Sequence, residues 1–239
     1  MERSGNPVLK EDTFQVSGDS SGGAMTLQGT VDKTFLLLAL CVGGAFWAWS
    51  NPAVAAFWWA CAIGGFVVAL VTIFFKRAAG ITAPLYSILE GVVLGTLSLL
   101  MDRRYPGIVI QSVGLTFGVM GCLLAAYKTR LIEVTENMRL GIIAATGGIA
   151  ILYLIDIGLS FFGHRVPMIH ESGPMGILFS LFVVSIASFN LVLDFDFIER
   201  GAESGAPKYM EWYGGFSLMV TLVWLYMEIL RLLSKGRKN

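Results

Sequence analysis

The sequence predicts an all-α integral membrane protein, a bundle of seven transmembrane helices. Three observations carry that reading. Hydrophobic residues make up 55% of the 239-residue chain and charged residues only 14%, whereas a soluble domain is about one quarter charged. The apolar residues gather into seven runs close to the roughly 20 residues that cross a bilayer as a helix. Charged residues or interfacial aromatics punctuate those runs, as they do at membrane–water boundaries.

Residues 1–33 differ in kind from the rest. Ser17-Gly18-Asp19-Ser20-Ser21-Gly22-Gly23 reads as a flexible polar stretch. It lacks the basic region leading into a short apolar core that marks a signal peptide, so the first apolar run should stay as a helix. That run is Thr34 to Ser50. Asn51-Pro52 then reads as a tight turn between antiparallel helices. The second run is Val54 to Phe75, stopped by Lys76-Arg77. The third is Ala83 to Met101, stopped by Asp102-Arg103-Arg104, and the fourth is Gly107 to Tyr127, stopped by Lys128. The fifth is Leu140 to Phe162, the sixth Met175 to Leu193 or slightly beyond, and the seventh Trp212 to Leu233. The transmembrane domain is therefore expected over 34–233, with a basic C-terminal tail over 234–239. Trp47, Trp49, Trp58 and Trp59 flank the first turn, and Trp212 and Tyr213 open the last helix, all as interfacial rings.

Basic residues in short loops set orientation. With the N-terminus in the cytoplasm, Lys76, Arg77, Lys128, Arg130, Arg139, Arg200 and Lys208 lie inside, against Arg103, Arg104 and Arg165 outside. Arg231, Lys235, Arg237 and Lys238 oppose this if all seven helices cross. An even number of crossings with one re-entrant segment is the alternative.

Composition excludes several classes. Seventeen basic and 17 acidic residues cancel, so nucleic acid is not an expected partner. Cys41, Cys61 and Cys122 sit in apolar runs as small buried hydrophobes, with no CxxC or Cys/His pattern. There is no Walker lysine loop, HExxH, GxSxG or Rossmann fingerprint, and no enzyme is expected. His164 and His170 share one outer loop near Glu171, and they read as solvated rather than metal-binding. The 28 glycines lie mostly inside helices and suit close helix packing.

Acids at membrane depth are functional candidates by default, because a charge there is costly. The candidates are Glu90, Asp156, Asp194 and Glu228, with Asp196 at the edge. No Lys or Arg lies well inside the seven runs, so these acids have no obvious basic partner in the core. Each must be protonated, share a proton, bind a cation or line water. At about 1.5 Å per helical residue, Asp194 lies roughly 7 Å from the inner side, Glu90 roughly 18 Å, and Asp156 and Glu228 roughly 25 Å. That ladder suits a cation pathway, and a purely structural set would look the same. Glu90, beside Gly91 and Gly95, could equally hydrogen-bond a neighbouring helix. Asp156 has Tyr153 or a backbone group as a structural partner, and Glu228 has Arg231 three residues on. Asn190 and Asp194 are four apart and share a helix face, whereas Asp196 points elsewhere, with Glu199 and Arg200 near water.

These residues carry a resemblance. The stretch Asn190-Leu191-Val192-Leu193-Asp194-Phe195-Asp196-Phe197-Ile198-Glu199-Arg200 resembles the acidic end of the sixth helix in the Bax inhibitor-1/YccA-like family. Pro207 to Tyr213, and Thr221 to Leu233 with Trp224, Glu228 and Arg231, resemble its last loop and helix. Met25 to Thr30, Glu90-Gly91 and Tyr105-Pro106-Gly107 resemble a bacterial subgroup of it. The resemblance implies six helices around a central seventh, and a pH-sensitive calcium leak. In that picture two aspartates on the last two helices share a proton and control the pore. Asp194 matches the first. The place of the second falls near Trp224, and the nearest acid is Glu228, one turn on. A loop centred near Gly205 sets Asp194 opposite about position 216, so a direct bond to Glu228 is not expected.

The function expected from this is a calcium leak of a bacterial inner membrane, with Asp194 and Glu228 as pH sensor and gate. Glu90, Asp156, Asn190, Asp196 and Glu211 would line the ion pathway, and Asp194 would be a transient calcium site. Lipid, calcium and protons are the expected partners, and calcium is the permeant ion rather than a cofactor. Two alternatives stay open: an interaction protein that modulates a membrane protease or stress response, and a proton-coupled transporter.

Overall fold

The computed structural model describes residues 23–238. The polar stretch at 17–22 and the rest of the chain before it lie outside the described residues. Helices follow one another along the chain: α1 Leu27–Ser50, α2 Pro52–Ala55, α3 Trp58–Phe74, a 3-10 turn Lys76–Ala78, α4 Ala79–Arg104, α5 Ile108–Lys128, α6 Glu136–Ser160, α7 Pro167–His170, α8 Pro174–Glu203 and α9 Met210–Gly236. Among the described residues, α1, α4 with its leading turn, α5, α6, α8 and α9 are long and apolar enough to cross a membrane, and α3 is a shorter apolar helix of 17 residues. The protein is an integral membrane protein.

Several boundaries differ from the sequence reading, each for a local reason. The first helix begins at Leu27 rather than Thr34, so residues 27–33 are not tail. Thr26 is its N-cap, and its Oγ1 accepts from Gly29 N at 3.0 Å, satisfying one of the free donors of the first turn. The sixth run continues to Glu203, because acids and arginine tolerate a helix once it leaves the apolar layer. The last helix reaches Gly236, so the first half of the expected basic tail is helical. Asn51-Pro52 makes the expected break: Asn51 Oδ1 accepts from Ala53 N at 3.1 Å and Pro52 starts α2. Gly107 precedes α5 at φ +81°, a conformation that favours glycine.

The described residues divide into two compact units. The first holds the chain up to Arg104 together with Asp196–Val220, and the second holds Tyr105–Phe195 and the chain from Thr221 onward. In the first unit, α1 buries Thr30, Thr34, Leu37, Cys41, Gly44 and Ala48, a stripe at three- and four-residue spacing. It packs on α4 through glycine. A Cβ on Gly91 would collide with the Cys41 carbonyl, and one on Gly95 would lie 2.6 Å from Ala45 Cα. Gly215 of α9 meets Thr34 and Leu37, and Phe216 stacks edge-on to Tyr86 at 5.1 Å. The N-terminal strap closes this unit: Met25 N donates to Ala206 O at 2.6 Å and Lys208 N to Gly23 O at 3.0 Å.

In the second unit, α8 buries Val183, Ala187, Leu191 and Asp194 on one face. The far end of α9 is tied to two connections. Lys235 Nζ donates to Gly176 O at 2.9 Å and Met168 O at 3.3 Å. Arg237 donates to Pro106 O and Gln111 Oε1, both at 2.8 Å. The bases expected in a free tail therefore hold loops. Other expectations shift too. Cys41 is buried, but Cys61 is half-buried and Cys122 exposed. Tyr213 is a core residue, not an interfacial ring, because the small Gly214 and Gly215 beside it let the helix sink inward.

Candidate functional site

The seven site residues expected from sequence divide between the units. Glu90, Asp196 and Glu211 belong to the first; Asp156, Asn190, Asp194 and Glu228 belong to the second.

In the first unit Glu211 sits in the opening turn of α9 with 0% exposure. Thr26 donates to Oε1 from both its N–H, at 3.0 Å, and its hydroxyl, at 2.9 Å. Lys33 Nζ lies 2.5 Å from Oε2, and Lys208 Nζ lies 2.9 Å from Oε1. Two ammonium groups and two neutral donors thus satisfy one buried carboxylate, which is how a buried charge becomes tolerable. A Cβ on Gly29 would collide with this carboxylate. Glu211 is a staple between the start of α1 and the turn before α9 rather than a lining group. Asp196 is nearly buried and pairs with Arg200, Nε to Oδ2 3.2 Å. That corrects the expectation of a solvated side chain while keeping its local partner.

Glu90 is half-buried on α4 and faces α3, where a Cβ on Gly65 would lie 3.5 Å from its Oε2. Among the described residues no donor or base reaches its carboxylate. One turn earlier, Ser87 Oγ is buried and makes no hydrogen bond.

In the second unit Asp194 is 0% exposed. Thr221 Oγ1 of α9 donates to its Oδ2 at 2.6 Å. The residue opposite Asp194 is therefore 221, not about 216: the loop of Ser204 to Tyr209 is displaced toward α9, and Phe216 is a core ring. Asn190, one turn before Asp194, is also buried. Its Nδ2 donates to Thr146 Oγ1 of α6 at 2.8 Å and to Ile186 O at 2.9 Å. Asn190 Oδ1 receives no hydrogen bond.

Glu228 has partners of its own. Arg231 Nη1 lies 3.1 Å from Oε1, and Tyr153 OH donates to the same oxygen at 2.9 Å while accepting from Arg231 at 2.6 Å. Asp156 accepts from Val166 N at 2.9 Å and lies 2.8 Å from His170 Nε2. His170 is thus paired, not merely solvated, and Tyr153 serves Glu228 rather than Asp156. Glu228 and Asp196 take the local arginines that their spacing allowed, and the expectation of no basic partner is corrected at Asp156, which lies beside His170. No group of three or more His, Cys, Asp or Glu that could hold a metal occurs among the described residues.

Sequence reading missed Thr221, Thr146, Thr26 and Lys33 as partners. Thr221, Glu228 and Lys235 are seven apart and share a helix face, so spacing alone could have flagged Thr221. Nothing in the sequence points to Thr146, which comes from another helix.

A model of the family described as Bax inhibitor 1 like matches residues 6–238. The chain belongs to that family. No curated protein and no solved structure matches it.

Proposed function

We propose that this membrane protein is a pH-sensitive calcium leak, with six helices arranged around α9, and that Asp194 is the sensor. One observation carries the reading: a fully buried carboxylate on α8 is held by a hydroxyl of α9, Thr221 to Asp194 at 2.6 Å. At low pH a protonated Asp194 is neutral and the two helices stay packed. Loss of the proton places a negative charge inside the second unit, which attracts calcium and loosens the pair. Glu90, which no base neutralises, suits the ion path better than Glu211, Asp196 or Asp156. Glu228 is a fixed ion pair in this reading rather than the proton-sharing partner. The orientation proposed is N-terminus cytoplasmic, in a bacterial inner membrane, and no catalytic step or cofactor is involved.

The test is calcium influx into liposomes carrying a calcium-sensitive dye, at pH 6, 7 and 8. Influx should rise with pH, and Asp194→Asn should flatten the rise. A pH profile unchanged in Asp194→Asn removes Asp194 as the sensor. Influx no faster than in empty liposomes removes the leak altogether. The second reading, an interaction protein acting on a membrane protease, then gains. The ion pairs of Glu211, Glu228 and Asp196 and the hydrogen-bonded Asp156 favour it, since partnered acids suit a structural role.

A further inference from the structure

The connection between α6 and α8 carries α7, a single helical turn. A one-turn helix leaves its own backbone groups unsatisfied and does not hold itself folded, so its place depends on what grips it. Two side chains do. The Asp156 carboxylate of α6 takes both ends: Val166 N, at the N-cap, donates to Oδ1 at 2.9 Å, and His170 Nε2, on the last residue, lies 2.8 Å from Oδ2. From the other side Lys235 Nζ of α9 donates to Met168 O at 3.3 Å and to Gly176 O of α8 at 2.9 Å. Between the two grips Ile169 points inward with 3% exposure, while Met168 beside it is 42% exposed.

The heights of these contacts show what lies beneath. Tyr153 of α6 meets Glu228 of α9 at 2.9 Å. Asp156 is one turn further along α6, and Lys235 two turns further along α9, which is about 5 Å and about 10 Å nearer the helix ends. Those ends are Ser160 and Gly236. The two helices are thus bridged at two levels, the inner by Tyr153 and Glu228 and the outer by α7. Glu228 beneath is 2% exposed. Glycines flank the bridge: Gly163, at φ +76°, and Gly173, each with open space where a Cβ would be. Backbone turns most freely at such residues.

We propose that α7 is a lid over Glu228, latched on one side by Asp156 and on the other by Lys235, with Ile169 as its plug and the glycines beside it as hinges. A few polar grips and one apolar side chain are little to hold a segment at the end of a bundle, and segments so held open locally at low cost. Opening admits water to Glu228 from the end where α6 and α9 finish. Asp156 and Lys235 act through α7 and do not touch Glu228. The lid operates whether or not the protein conducts, and it gives Asp156 a task other than lining an ion path.

The experiment treats the purified full chain in detergent with a water-soluble carbodiimide and a small amine, which couple where water reaches a carboxyl group, and locates the labels by mass spectrometry. In the parent the exposed Glu171 should label readily and Glu228 hardly at all. Asp156→Ala and Lys235→Met should each raise labelling of Glu228 roughly tenfold, the shift in an open–closed equilibrium when a hydrogen bond to a charged group is lost. His170→Ala, which leaves Val166 on Asp156, should raise it by a smaller factor. Hydroxyl-radical oxidation of Ile169 should rise in step, with Met168 level. Arg237→Ala frees the end of α9 from Pro106 and Gln111 but not from α7, and should leave Glu228 and Ile169 as in the parent. Melting temperature reports whether each variant folds; if Asp156→Ala or Lys235→Met does not, His170→Ala carries the test, since its ring is 40% exposed. Unchanged Ile169 oxidation in the folded latch variants overturns the lid, and α7 is then fixed. Ile169 rising while Glu228 stays unlabelled overturns it too, since α7 then covers nothing. So does a parent in which Glu228 labels like Glu171, or an Arg237→Ala that matches the latch variants. Calcium influx is not read, so the lid and the leak stand or fall separately.

Discussion

The α1–α4 pair and the α5 and α6 helices both carry several glycines and use them differently. Between α1 and α4, Gly91 and Gly95 sit against Cys41 and Ala45, and a Cβ on Gly44 would come within 2.7 Å of the Ile88 carbonyl. The backbones approach so closely that no side chain fits, which is how small residues hold membrane helices together. On α5, Gly114, Gly118 and Gly121 have open space where a Cβ would be; so do Gly141, Gly147, Gly148 and Gly158 on α6. A small residue permits close approach without requiring it. Contact also needs a partner surface at matching height, and α1 supplies one through Cys41, Gly44 and Ala45. The expectation that the glycines as a class serve helix packing therefore holds in one region and fails in the other.

The sharpest way to break this contrast is Gly91→Val. Two methyl groups forced against the Cys41 carbonyl should cost about 3 kcal/mol, the upper end for overpacking, and lower the melting temperature in detergent. A melting temperature equal to the parent's would mean that α1 and α4 are not in this contact. Next is Glu211→Gln. It removes the charge that gathers Lys33, Lys208 and Thr26, but both lysines are partly exposed and can reach water. The loss should be about 1–2 kcal/mol, with the pH profile of calcium influx unmoved. A flattened profile would make Glu211 part of the sensor and not a staple. Smallest is Gly148→Val, which should shift stability by less than about 0.5 kcal/mol. A fall as large as that of Gly91→Val would show that α6 has a partner on that face, such as a second copy of the chain.

Glu211 and Asp194 sharpen the comparison at the level of charge. Both are fully buried acids, Glu211 in the first turn of α9 and Asp194 within the last third of α8. Lysines from α1 and from the preceding turn neutralise Glu211, whereas the contact from α9 to Asp194 is a hydroxyl. A carboxylate locked by two cations has little freedom to change state. A hydroxyl can donate to a carboxylate and accept from a carboxylic acid, so that contact survives either state. Stability should therefore follow Glu211 and pH response should follow Asp194, and the two variants together test that division.

The sequence by itself determined the class and the helices. Backbone in lipid is satisfied only by helices or closed barrels, and continuous apolar runs near 20 residues match a helix rather than a strand of about 10, so the helices followed from composition and spacing. Local ion pairs were legible too: Glu228 with Arg231 and Asp196 with Arg200 are three and four apart and meet on any helix. Only the tertiary structure decided the remaining partners. Thr26 and Glu211 are 185 residues apart, Tyr153 and Glu228 are 75 apart, and Asn190 and Thr146 are 44 apart. A buried carboxylate or amide takes whatever donor the neighbouring helix presents at its height. That height depends on how far each helix slides past the next, which small residues and loop lengths settle together and no single segment encodes.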